Sequence, residues 1–101
     1  MIAVPSGVRI LLAARPVDFR KGMDGLAALV QQAFHADPFR GDVFIFRPRR
    51  TDRVKILVYD GTGLVFYSKR LEAGRFCWPS PAEGVVRLSA SQLATLFDHA
   101  W

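Results

Sequence analysis

Residues 8–13 form a short apolar run rich in branched side chains, punctuated by Pro5 and Gly7 before it and Pro16 after it. Such a run predicts a strand. Phe19, Met23, Leu26, Val30 and Ala33/Phe34 then recur at helical spacing, with Arg20, Lys21, Asp24, Gln31 and Gln32 on the opposite side. That pattern predicts an amphipathic helix packing one stripe on a core. Asp18 is its expected N-cap. Asp37-Pro38 is its expected stop, because a residue before proline disfavours helical geometry. Residues 42–47 (Asp-Val-Phe-Ile-Phe-Arg) are apolar on both faces, which suits a central strand. Residues 53–60 alternate: Val54, Ile56 and Val58 share one face, and Lys55, Leu57 and Tyr59 the other. Asp60-Gly61-Thr62-Gly63 is a tight-turn signal, so residues 64–71 run back as a hairpin partner. Pro48-Arg49-Arg50-Thr51-Asp52 is a basic loop between the second and third strands, and residues 74–84 are irregular. Residues 85–88 predict a short strand. Ser89 and Gln92 fit the two ends of a capping box, opening a helix with Leu93, Leu96, Phe97 and Ala100 on one face. The layout predicts an α+β fold: one domain over residues 1–101, with a mainly antiparallel sheet of four to five strands and two helices.

Length and composition narrow this picture. A chain of 101 residues, half apolar and 23% charged, is ordinary globular material. It is too short for a multi-step enzyme with its own cofactor domain. The single cysteine, Cys77, cannot form an internal disulfide, and no apolar run approaches the roughly 20 residues that span a bilayer. No signal peptide is visible. The expectation is a soluble cytoplasmic protein with no membrane partner.

Charge adds a location. The net charge is +5, with 14 Lys and Arg against 9 Asp and Glu. Between positions 47 and 75 stand Arg47, Arg49, Arg50, Arg53, Lys55, Lys69, Arg70 and Arg75, against only Asp52, Asp60 and Glu72. The rest of the chain is balanced, so the whole excess lies in this segment. Such asymmetry suggests a polyanion or an acidic protein surface as partner. The competing reading is a solvated hairpin whose cations keep an edge strand from pairing. Arg20 and Lys21 are also out of place, since cations at a helix start oppose the helix dipole, and a binding role would account for them. Trp78, beside Pro79 in the irregular stretch, is the best candidate for stacking on a base.

Catalytic chemistry finds no support. His35, His99 and Cys77 stand alone, without metal-ligand spacing. Gly61-Thr62-Gly63 is a turn, not a dinucleotide fingerprint, and Arg20-Lys21-Gly22 is no phosphate-binding P-loop. No serine or cysteine sits in a nucleophile elbow. The carboxylates read mostly as turn and cap residues rather than a two-metal nuclease centre. The expectation is a non-enzyme without metal or cofactor.

Several stretches together resemble a known family. They are Val4-Pro5-Ser6-Gly7-Val8, Asp18-Phe19-Arg20-Lys21-Gly22-Met23-Asp24-Gly25-Leu26, Asp42-Val43-Phe44-Ile45-Phe46-Arg47, Arg49-Arg50 and Val54-Lys55-Ile56-Leu57. Further along are Tyr59-Asp60-Gly61, Gly63-Leu64, Lys69-Arg70-Leu71-Glu72-Ala73-Gly74-Arg75-Phe76, Trp78-Pro79-Ser80-Pro81 and Leu88-Ser89-Ala90-Ser91-Gln92-Leu93. The chain is similar, over about residues 1–96, to the Orf2-type accessory proteins (TnpB) of bacterial insertion sequences of the sixty-six group. The RNA-guided nuclease of the same name is a different family. Val58 stands where members commonly have an aromatic, and Cys77 where a larger apolar residue is common. The resemblance implies an accessory factor in transposition, encoded beside a separate transposase that carries the acidic catalytic triad, with no catalytic residue of its own.

Three functional readings follow. In the first, the protein is a non-catalytic factor that binds DNA near the element ends. Its contacts would come from Arg20, Lys21, Arg47, Arg49, Arg50, Arg53, Lys55, Lys69, Arg70, Arg75 and Trp78. In the second, it is an adaptor whose basic face docks on the transposase, with incidental DNA affinity. The third, a small nuclease, has least support.

Overall fold

The structure is a computed structural model describing residues 7–13, 15–76, 78 and 84–98, with residues 96–98 described as backbone only. The elements are β1 (Ile10–Ala13), α1 (Met23–Ala33), β2 (Val43–Phe46), β3 (Arg53–Tyr59), β4 (Leu64–Arg70), β5 (Val85–Leu88) and α2 (Ala90–Asp98). The strands form one sheet in the order β4-β3-β2-β1-β5. β1 and β2 are parallel, joined by the crossover through α1, and the other three pairings are antiparallel. This is the α+β arrangement that the element pattern predicts.

β1 and β2 are buried at every position, because both faces of the central sheet are covered. On one face, Leu11, Ala13, Phe44, Phe46 and Leu57 pack against Leu26 and Val30 of α1. Phe34 adds ring contacts at 5.6 Å to Phe44 and 5.8 Å to Phe46. On the other face, Ile10, Leu12, Val43, Ile45, Val54 and Ile56 are covered by Leu71, Phe76 and Leu93. Alternation along each strand sends neighbours to opposite layers, so one short sheet serves two cores. Leu96 and Phe97, also expected on the buried face of α2, have no described side chains, and Ala100 lies outside the described residues.

Both expected ends of α1 move. The N-cap is Gly22, in an extended conformation, and no side chain caps it. Asp18 lies too far upstream and is spent locally. Its carboxylate accepts from the Arg20 amide at 3.0 Å and from the Arg20 guanidinium at 3.1 and 2.9 Å. Phe19 therefore precedes the helix rather than lying on its stripe. The helix ends before Asp37-Pro38, because His35 adopts a left-handed φ of 50° and turns the chain away. α2, in contrast, opens with the expected capping box. The Gln92 amide donates to Ser89 Oγ at 3.0 Å, and the Ser89 amide donates to Gln92 Oε1 at 2.8 Å.

Candidate nucleic-acid interface

The β3–β4 hairpin positions most of the basic residues. The four-residue turn after Tyr59 is held by Asp60, whose Oδ1 accepts from the Thr62 and Gly63 amides and the Thr62 hydroxyl, each at 2.9 Å. Those donors hold the Asp60 carboxyl below the usual carboxylate range, with the two backbone amides the leading cause. The turn fixes the register, which sets Arg53 directly opposite Arg70, Val54 opposite Lys69 and Lys55 opposite Ser68. Alternation then gives Arg53, Lys55, Ser68 and Arg70 the same face as α1. With Phe19, Lys69 and Glu72 they line an open cleft of about 490 Å³.

Lys55 is the partly buried member of this group. Its ammonium donates to the carbonyls of Phe19 and Lys21, the latter at 3.1 Å, and lies 4.3 Å from the centre of the Phe19 ring. Burial pushes its pKa down, with the charge of Asp18 opposing. Lys55 thus clamps the loop before α1 to the sheet, and the Lys21 side chain is exposed. Arg20 is also exposed but paired with Asp18, and Arg20's hydrogen bonds take the Asp18 carboxyl down to about 2.

A second group forms around residues 47–53. The Leu71 amide donates to the Asp52 carbonyl at 2.8 Å, and the Phe76 amide to the Thr51 carbonyl at 2.7 Å. These bonds dock the segment carrying Arg75 onto the loop carrying Arg49 and Arg50, and all three arginines are exposed. Arg50 sits 3.4 Å from Asp52, and Arg53 Nε 3.8 Å from the same carboxylate. Arg47 is half-buried, its guanidinium carbon 5.6 Å from the centre of the Trp78 ring, which in turn packs 5.6 Å from Phe76. Trp78 is therefore half-buried on the core rather than a free platform, and its Nε1 is buried without a hydrogen-bond partner among the described residues. Most of the predicted cations thus fall into two adjoining clusters. Arg47 and Trp78 form a packing pair at the edge of the second cluster.

Hydrophobic patterning does not mark Phe19, Ser68 and Glu72 as cleft residues, though counting back from the Asp60–Gly63 turn pairs position 53 with position 70 and position 55 with position 68. β4 is an edge strand of the sheet, so Lys69 and Arg70 also protect that edge from pairing. Among the described residues, no three His, Cys, Asp or Glu side chains gather as a metal site, and no helix is long and apolar enough to cross a membrane. Cys77 and His99 lie outside the described residues. His35 is exposed at the exit of α1.

Comparison with known proteins identifies the lineage. Residues 8–100 match the model of the IS66 Orf2-like protein family. An uncharacterised protein of Sinorhizobium fredii, y4jC, is 44% identical over 96 residues, covering 95% of this chain and 82% of that protein. A second uncharacterised protein of the same organism, y4hO, is 39% identical over 97 residues, covering 94% and 84%. No solved structure matches. The chain belongs to the IS66 Orf2-like protein family, a family of accessory proteins associated with insertion sequences.

Proposed function

We propose that the protein is a non-catalytic accessory factor of transposition that binds DNA through its basic face, near the ends of its element. The supporting observation is the convergence of Arg49, Arg50 and Arg75 with the Arg53–Arg70 cleft on adjoining surfaces, where Asp52 and Glu72 are the nearby acids. Arginine that outnumbers its neighbouring acids in this way suits the phosphate backbone, because the guanidinium fork matches phosphate oxygens in pairs. Phosphate contacts position a protein on a duplex without reading its sequence, so preference for element ends would come from shape or from the transposase. The test is a salt titration of the purified protein on an element-end duplex beside a random duplex. Tight binding with a slope of about −0.9 per phosphate contacted is the expected result. Weak, salt-insensitive binding, with retention of the transposase at high salt, would instead make the basic face a docking surface for an acidic patch on that partner.

A further inference from the structure

Arg53 and Arg70 occupy directly opposed positions of the antiparallel β3–β4 ladder, on the same face. Like charges so placed destabilise a sheet, and among the described residues the one ion pair that offsets them is the long contact of Arg53 with Asp52. Arg53 Nε is 3.8 Å from Asp52 Oδ1, beyond hydrogen-bond reach, and both atoms are buried without a hydrogen-bond partner. Among the described residues, neither arginine donates a side-chain hydrogen bond. The next pair along the ladder on that face is Lys55 and Ser68, a third cation and a neutral hydroxyl. The cleft these four residues line, with Glu72 its one acid among the described residues, is open to solvent and has room for a tetrahedral oxyanion.

We propose that this cleft is the seat of a single DNA backbone phosphate, held by the guanidinium groups of Arg53 and Arg70 and the hydroxyl of Ser68. Lys55 contributes charge there, while two of its hydrogen bonds remain on the Phe19 and Lys21 carbonyls. This assignment rests on the DNA-binding reading and sharpens it: the cleft holds one defined phosphate, and the loop arginines contact its neighbours along the strand. The seat has a signature that a merely structural arginine lacks. Without an anion the Arg53–Arg70 pair is repulsive, so neutralising Arg70 should stabilise the free protein while weakening its complex with DNA.

The experiment uses the full chain and a short random duplex, comparing the unaltered protein with Arg70→Gln, Arg70→Lys and Arg49→Gln. Arg70→Gln is expected to flatten the salt slope by about 0.9, the share of one phosphate. It should weaken binding at low salt about tenfold, the loss of one charge-assisted hydrogen bond. Its melting temperature without DNA should equal or exceed that of the unaltered protein. Arg70→Lys should keep the slope and lose affinity, because charge remains but the fork is gone. If Arg70→Gln binds with unaltered slope and affinity while Arg49→Gln weakens binding, the seat is refuted and the DNA reading survives. A lower melting temperature for both Arg70 variants would make the residue structural and refute the seat as well. If the unaltered protein fails to bind the duplex at low salt, both readings fall together.

Discussion

The ammonium of Lys55 reaches across from β3 to the carbonyl of Phe19 and rests 4.3 Å from the centre of the same residue's ring. One side chain thereby satisfies a loop carbonyl, covers an aromatic face and holds the entrance to α1 against the sheet. A cation in this position keeps these hydrogen bonds within the fold even while its charge serves the cleft, so changing it tests the fold first.

Lys55→Met keeps an unbranched side chain one atom shorter and removes its donors. The expected cost is about 1–3 kcal/mol, since two carbonyls lose a charged partner. Urea unfolding of the two proteins measures it. Unchanged stability together with weakened DNA binding would show that Lys55 serves the ligand instead.

The Arg9–Asp42 pair predicts an acid-sensitive core. Burial disfavours the charged form of Asp42, but the Arg9 guanidinium, at 3.1 and 2.7 Å, and the Arg9 amide, at 3.2 Å, outweigh it and hold its carboxyl below the usual range. A depressed carboxylate stabilises the fold above its unfolded pKa of about 4, and that stability is lost as pH falls through the lower folded value. Stability measured from neutral pH downward should therefore decline below about pH 4. Asp42→Asn should be less stable at neutral pH and flatter in its acid limb; matching acid limbs would assign the loss to other carboxylates.

Ser89→Ala removes the side-chain half of the α2 capping box. A loss of about 1 kcal/mol is expected. Hydrogen exchange should locate the faster opening at the first turn of α2, beside Leu93, which is buried against the sheet. Equal exchange at those amides would mean that packing of Leu93 alone holds the helix start.

Arg49 and Arg50 are exposed, and among the described residues only Arg50 of the two pairs with a carboxylate, Asp52 at 3.4 Å. The double change Arg49→Gln with Arg50→Gln should leave stability within about 0.5 kcal/mol. It should reduce both duplex binding and transposition. Transposition at the unaltered level would remove the loop from the functional face.

The strands were legible because their patterns differ in kind. Residues 42–47 read as a doubly covered strand and residues 53–60 as an alternating one, and strands at Val43–Phe46 and Arg53–Tyr59 take those places in the sheet. The Ser89–Gln92 pair was legible because a capping box is local. Phe19 misled: its spacing continues the helical stripe, but Asp18 binds Arg20 and leaves Gly22 to start the helix. Lys55 reads in the sequence as a candidate DNA contact rather than a clamp, because its acceptors lie more than thirty positions away, beyond any local pattern. Trp78 looked available because sequence says nothing of Arg47 packing on its ring. The pairing of Arg53 with Arg70 follows from turn length, a signal that hydrophobic pattern alone does not carry.

β1 lies between β2 and β5, so the first strand of the sheet is completed by the last. During synthesis, residues 10–13 emerge from the ribosome long before their partners at residues 85–88. In that interval the outer side of Ile10–Ala13, an apolar strand, is an open edge able to recruit another nascent chain. A chain cut short before Val85 would keep that edge for good. β5 is thus the closing seal of the sheet, and a premature stop just upstream of it should yield a self-associating fragment rather than a smaller working protein.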